Sequence, residues 1–130
     1  MRSFETAADE LQPEARREAL DMLNEGRIHS ANWLPAKVSG LTNPITREIS
    51  LNPEFVAGNV FEWMPARFGF LIAHELGHVR QFEHWGSAYS TIFATADVLL
   101  NRLGPTRGLD RGANAYACRA VRNPSIIRGC

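Results

Sequence analysis

Two histidines and a glutamate lie close together in the stretch LIAHELGHVRQFEHWG, residues 71–86. In a helix, His74 and His78 leave the same face about 6 Å apart, so both can reach one tetrahedral metal ion. Glu75 is rotated from His74 by about 100°, so its carboxylate can contact a metal-bound water without taking a ligand position. Zn²⁺ lowers the pKa of such a water to about 7, and a neighbouring carboxylate can take its proton during attack on a carbonyl. The spacing therefore predicts a hydrolytic zinc site, with the histidines as ligands and Glu75 as general base.

The alternative is a chance match on an amphipathic helix, because short His-Glu-x-x-His runs do occur without a metal. Here the three residues lie in LIAHELGHV, an apolar segment in which unpaired polar side chains would be costly to bury. Gly77 also weakens a helix interior by about 1 kcal/mol relative to alanine, which indicates that another segment approaches closely at this point. Both observations favour a metal site.

A zinc site needs at least one more protein ligand, and His84 is the first of three candidates. It follows His78 by six residues, or about 600° of helix, so an unbroken helix turns it away from the metal. The longer H-E-x-x-H-x-x-G-x-x-H pattern of metzincins avoids this problem with a glycine, where this chain has Gln81. No methionine follows the motif to form the Met-turn of that group. A surface position near the end of the helix is the better interpretation of His84.

Asp97, the second candidate, interrupts the apolar run TIFATADVLL. A carboxylate in that position suits a hydrogen bond to a ligand histidine better than direct coordination, since ligating histidines usually donate their other N–H to such a group. A solvated helix face explains Asp97 equally well.

Asp110, the third candidate, begins the segment DRGANAYA, which resembles the downstream helix of gluzincin-type metallopeptidases. That helix carries the pattern E-x-x-A-D-x-x-A, in which the first residue is a ligand and the second acidic residue supports a histidine. The resemblance assigns these roles to Asp110 and Asn114, with Ala113 and Ala117 at the two alanine positions. Both polar residues depart from the pattern, because aspartate is shorter by one methylene and asparagine is a weaker acceptor. A helix N-cap is the alternative role for Asp110, so the predicted ligand set is His74, His78 and Asp110, with the other two candidates left open.

The resemblance as a whole covers about residues 68–120 and is to small zinc metallopeptidases of the zincin group. It implies a zinc-dependent endopeptidase acting on a peptide or protein substrate, held as an added strand along a sheet edge. Residues 45–51 are the best candidate for that edge. Compact zincins also occur as toxin domains of secreted antibacterial effectors, which would imply a cognate immunity protein and action in the periplasm of a target cell. An amide hydrolase of cell-wall peptides and a catalytically silent zincin-fold binding or regulatory module are the alternatives.

Hydrophobic periodicity predicts helices over residues 13–25, 65–86 and 88–103, and a last helix in RGANAYACRAVR that Pro124 ends. Between the first two, a Thr-Asn-Pro turn signal separates Val38 and Leu41 from an apolar and β-branched run that ends at Leu51. The predicted fold class is therefore α+β, a mostly helical zincin-like domain with a small antiparallel sheet or hairpin before the motif helix. At 130 residues the chain has the length of a single domain.

Charge and composition exclude some classes of partner. The chain has 14 basic and 14 acidic residues and a formal net charge of zero, which removes the simplest electrostatic argument for binding nucleic acid or an anionic membrane. No apolar run reaches the roughly 18–20 residues of a spanning helix, and residues 1–20 lack the apolar core of a secretory signal. Export as an effector domain and a cytoplasmic location both stay open. Cys118 and Cys130 are either two separate thiols or a disulfide that ties back the tail.

Overall fold

The computed structural model describes residues 2–35, 38–53, 65–86, 108–127 and 129–130. These ranges contain the helices α1 (Arg2–Ala8), α2 (Pro13–Asn24), α3 (Pro65–Trp85) and α4 (Gly108–Ala120), and a 3₁₀ turn at Pro124–Ile126. They also contain the strands β1 (Ile28–Ser30), β2 (Gly40–Thr42) and β3 (Ile49–Leu51). The fold class is α+β, as predicted. The predicted helix over 88–103, with Asp97, lies outside the described residues.

Helix α3 carries the motif and runs through the middle of the core. Proline at its first position needs no intrahelical N–H partner, and Gly86, at φ +80°, ends the helix with its N–H donating to Phe82 O at 3.0 Å. The bounds predicted for this helix are therefore correct to within one residue. One face of α3 is buried over its length, through Phe68, Ile72, Leu76 and Val79.

Helix α1, which was not predicted from the sequence, covers the start of α3. Phe4 packs edge-to-face on Phe68, with ring centroids 6.0 Å apart. Helix α2 agrees closely with its prediction and buries Ala15, Ala19 and Met22. No helix in the described part of the chain has the length and apolar character needed to cross a membrane.

Helix α4 lies directly against α3 at Gly77. A Cβ at Gly77 would meet Ala113 Cα at 2.8 Å and Ala113 O at 3.0 Å, so only glycine allows this approach. The close contact expected from Gly77 is confirmed. Ala113 and Ala117, which are one turn apart on α4, are both fully buried.

The carboxyl end of α4 is held by the segment between α1 and α2. Ala120 O accepts a hydrogen bond from Gln12 N at 2.6 Å, and Glu10 O accepts one from Arg122 N at 2.8 Å. A disulfide between Cys118 and Cys130 then ties the tail to α4, with the two Cα atoms 5.6 Å apart. Of the two alternatives for the cysteines, the structure has the bonded one.

The three strands form one mixed sheet in the order β1-β3-β2, with β3 parallel to β1 and antiparallel to β2. The expected hairpin is present as β2–β3, whereas β1 was not predicted from the sequence. The predicted extension of the second strand back to residue 45 is wrong, because Asn43 Oδ1 accepts the N–H groups of Ile45 and Thr46 at 2.8 and 3.1 Å. This side-chain turn ends β2 and leaves Ile45 60% exposed. Since β3 is central, residues 45–51 do not form a sheet edge.

Candidate metal centre

The rings of His74 and His78 meet on one face of α3, where their spacing of one helical turn places them. Their Nε2 atoms are 3.2 Å apart, and the ring planes are nearly perpendicular. One nitrogen of each histidine and one carboxylate oxygen of Glu75 all lie within 4.8 Å of one another. These three residues are the metal-competent group in the described part of the chain, and the structure brings them together as predicted.

The other nitrogen of each histidine faces a side-chain amide. His74 Nδ1 lies 2.7 Å from Asn114 Oδ1, and His78 Nδ1 lies 2.9 Å from Gln81 Oε1. An amide oxygen can only accept, so each Nδ1 carries the proton and donates it. In a neutral imidazole with its proton on Nδ1, the lone pair is on Nε2. Both amides therefore select the tautomer whose lone pairs converge between the rings.

Two acceptor nitrogens at 3.2 Å repel each other unless a cation or a proton lies between their lone pairs. A divalent metal removes this repulsion for both rings at once, and neutral imidazole is the form of histidine that binds metals. The geometry of the pair is thus that of two ligands to one ion.

Glu75 lies under the sheet and is only 3% exposed. Thr42 of β2 donates its hydroxyl to Glu75 Oε2 at 2.7 Å and also lies 3.2 Å from the backbone oxygen of Glu75. Gly40 on the same strand also lies beside the carboxylate, since a Cβ there would make an ordinary contact of 3.5 Å with Glu75 Cδ. Burying an unpaired carboxylate is costly, and a neighbouring cation would offset that cost. It is held in one position beside two histidines, where a carboxylate could accept a proton next to an ion held by them.

The three candidate third ligands have different outcomes. Helix α3 continues unbroken to Trp85, and His84 is exposed near its end, outside the group that could hold a metal. Asp97 lies outside the described residues. Asp110 belongs to α4, one turn before Asn114, but its side chain is not among those described. Its role as a ligand stays a prediction.

Two residues of this centre were missed or misread from the sequence. Gln81 entered only as the residue that replaces a metzincin glycine, although its i+3 spacing from His78 could have revealed the contact. Thr42 had no comparable signal, because its partner Glu75 is 33 residues away in the chain. Asn114, by contrast, contacts one of the two motif histidines, as the gluzincin resemblance suggested.

A second polar cluster, consisting of Glu18, Arg80 and Tyr116, lies on another face of α3. Arg80 Nη2 donates to Glu18 Oε2 at 2.7 Å, and the guanidinium carbon of Arg80 lies 5.1 Å from the ring centre of Tyr116. Burial raises the pKa of Glu18 by more than Arg80 lowers it. Burial likewise raises the pKa of Tyr116 despite its hydrogen bond with Arg80. This arginine cluster borders an open cleft of about 390 Å³.

Comparison with protein-family models, with curated proteins and with solved structures finds no match to this chain. The resemblance to zincins therefore stays a prediction from the sequence motif.

Proposed function

We propose that this protein is a zinc-dependent metallopeptidase, with His74 and His78 as ligands and Glu75 as general base. The observation that carries the proposal is the distance of 3.2 Å between the Nε2 atoms of His74 and His78. In each ring the proton is on Nδ1, so the lone pair is on Nε2. In a tetrahedral zinc site with Zn–N distances of 2.0–2.1 Å, two nitrogens are separated by about 3.3 Å. The histidine spacing matches that edge. An imidazole and carboxylate donor set is also one that zinc commonly occupies.

A third protein ligand is required, and we assign it to Asp110. Helix α4 already supplies Asn114 to His74, and Asp110 is one turn earlier on the same helix. Residues four apart share a helix face. The ligand set would then be completed by the element that also orients a histidine.

Bound zinc would supply a Lewis acid that polarises the substrate carbonyl and acidifies the attacking water. Glu75 would take a proton from the attacking water while the water oxygen adds to the carbonyl carbon of the substrate. The same carboxyl then gives the proton to the departing amide nitrogen as the C–N bond breaks. Thr42 holds one oxygen of Glu75 during both transfers, which keeps the carboxylate directed toward the histidines.

The substrate that fits this centre is an extended peptide. Strand β2 pairs with β3 on one side and is an edge of the described sheet. It is also the strand that contacts Glu75 through Thr42. A peptide added beside β2 would form main-chain hydrogen bonds next to the general base. Strand β2 thus replaces residues 45–51 as the proposed docking edge.

The effector interpretation has one structural observation in its favour, the Cys118–Cys130 disulfide. Disulfides persist in oxidising compartments such as the bacterial periplasm. Action in the periplasm of a target cell, and neutralisation by a cognate immunity protein in the producing cell, follow from that interpretation.

Glu75→Gln tests the proposed activity. The variant should keep its zinc, because the histidines are intact, while hydrolysis of a protein substrate or of cell-wall peptides falls by at least about 100-fold. Metal content by mass spectrometry and cleavage by product analysis are measured on the same samples. Glu83→Gln, an exposed position on the same helix, is the matched control.

Three results would contradict the proposal in different ways. If the wild-type protein binds no zinc, the proposed metal centre is wrong. Zinc binding without cleavage of any peptide class would support the silent binding module. Equal cleavage by wild type and Glu75→Gln would exclude Glu75 as the base.

A further inference from the structure

Gln81 lies on α3 three residues after His78 and is half-buried. Its Oε1 accepts the Nδ1 proton of His78 at 2.9 Å. Side chains three residues apart on a helix are neighbours, so this contact needs no other element to bring the two residues together. It does need something to keep the long glutamine side chain in place.

The amide of Gln81 lies against the facing helix α4 at Gly112. A Cβ at Gly112 would collide with Gln81 Nε2. Gly112 is an exposed residue within α4, where alanine would give a more stable helix. Its φ is not in the left-handed region, so backbone conformation does not explain the glycine. The space that it leaves for the Gln81 amide does.

We infer that Gln81 is a positioning residue for the metal ligand His78 and that Gly112 keeps open the space in which it acts. The inference rests on the proposed metal centre and adds two residues to it. Gln81 fixes the Nδ1 proton of His78, as Asn114 fixes that of His74, so each ligand has its own amide acceptor. The first amide comes from α3 and the second from α4.

Helix α4 controls both acceptors in this arrangement. It supplies Asn114 directly, and through Gly112 it leaves the space that the Gln81 amide occupies. A methyl group at Gly112 would displace the end of a flexible side chain, which costs the fold little. The displaced amide would lose its hydrogen bond with His78, which costs the metal site more.

A purely structural role predicts a different result at Gly112. If Gln81 were only a packing residue, Gly112→Ala would raise helix stability and leave metal affinity unchanged. The positioning role predicts that Gly112→Ala unfolds at the same or a higher temperature than wild type and binds zinc about 10–100-fold more weakly.

The experiment is a double-mutant cycle of wild type, Gln81→Ala, Gly112→Ala and the double variant, all as the full chain. Zinc affinity is measured by competition with a chromophoric chelator, and the tautomer of His78 by ¹⁵N NMR of the imidazole. Each single variant should lose about 10–100-fold in affinity. The double variant should lose no more than Gln81→Ala alone, because the methyl group then has no amide to displace. Gln81→Glu, which keeps an acceptor oxygen for the Nδ1 proton of His78, should bind zinc at least as tightly as wild type.

The positioning role would be overturned if Gly112→Ala bound zinc as tightly as wild type. It would also be overturned if the fold-losses in zinc affinity of the two single variants multiplied in the double variant. If Gln81→Ala fails to fold, Gln81→Met, which keeps the length without the amide oxygen, takes its place in the cycle. If all four proteins bind zinc with the same affinity, and the wild type needs Glu75 for cleavage, only this inference is overturned. Absence of zinc binding in the wild type overturns the proposed function with it.

Discussion

The histidine cluster (His74, Glu75 and His78) and the arginine cluster (Glu18, Arg80 and Tyr116) share helix α3 but are built on opposite principles. In the arginine cluster a cation meets a carboxylate at 2.7 Å and lies over an aromatic ring. Opposite charges are thus paired within the protein. In the histidine cluster two nitrogen lone pairs and a buried carboxylate converge. All three are electron-pair donors, and they are complementary to a cation rather than to one another.

Burial makes this difference sharper. The side chains of Arg80 and Glu18 are 44% and 26% exposed, so water screens their attraction and the pair contributes little to stability. Glu75 is 3% exposed, so its charge is screened far less. The better-paired cluster is therefore a minor stabilising feature of the surface, whereas the less complementary one has a geometry that could hold a metal ion.

His78→Ala should have the largest effect on the histidine cluster, because it removes one of the two converging nitrogens. Zinc affinity should fall by more than about 100-fold, beyond the loss typical of outer hydrogen-bond partners. Chelator competition measures it, with His84→Ala as a control on the same helix that should retain wild-type affinity. Equal losses in both variants would mean that His84 is a ligand and that α3 breaks near Gln81.

Asn114→Ala should have the next largest effect, weakening zinc by about 10–100-fold through loss of the acceptor for the Nδ1 proton of His74. Asn114→Asp should restore or exceed wild-type affinity, since a carboxylate is a stronger acceptor. Isothermal titration calorimetry with Zn²⁺ compares the three proteins. An aspartate variant as weak as the alanine variant would show that the contact does not support the ligand.

Thr42→Val tests the support of Glu75 while leaving both histidines untouched. Loss of the hydroxyl should cost about 1–3 kcal/mol of folding stability, because it removes a partner of a buried carboxylate. Zinc content should stay at the wild-type level, and peptide hydrolysis should fall about 10-fold. Thr42→Ser, which keeps the hydroxyl, is the control for denaturant melts and kinetics. A serine variant as impaired as the valine variant would assign the effect to packing.

Glu18→Gln has the smallest expected effect and concerns the arginine cluster. The folded-state pKa of Glu18 lies above its ordinary value because burial outweighs the attraction of Arg80. Between those two pKa values the folded protein binds the proton more tightly, so wild-type stability falls as pH rises through that window. The stability of Glu18→Gln relative to wild type should therefore increase from about pH 4 to about pH 7, by about 1 kcal/mol or less.

Urea unfolding at both pH values measures this change in relative stability. The exposed Glu14→Gln on the same helix is the control, and zinc affinity should not change in either variant. A relative stability that stays constant or declines with rising pH would contradict the assigned direction of the Glu18 pKa.

The features that could be read from the sequence are those set by local periodicity. Helix α3, its two histidines and Glu75 follow from a spacing of one turn, and Gly77 signalled the approach of α4. The hairpin β2–β3 followed from its turn residues. Each of these depends on residues that are close together in the chain.

The remaining features depend on partners distant in the chain. Strand β1 has three residues and forms through parallel pairing with β3, so its own sequence carries little signal. The contact of Thr42 with Glu75 requires the sheet to lie on α3. The pairing of Gln81 with Gly112 requires the two helices to be in register, which spacing within either helix cannot show.

The attachment of the end of α4 to the segment before α2 has a consequence for the order of folding. Gln12 Nε2 donates to Val121 O across 109 positions of sequence, and Leu11 and Val121 form an antiparallel bridge. Closing so long a loop is slow compared with forming a helix turn. We therefore expect the two histidines to be presented early, on a helix that forms locally, and Asn114 to reach His74 late. During synthesis, the contacts that hold α4 against the segment before α2 can form only after the residues up to Val121 have left the ribosome.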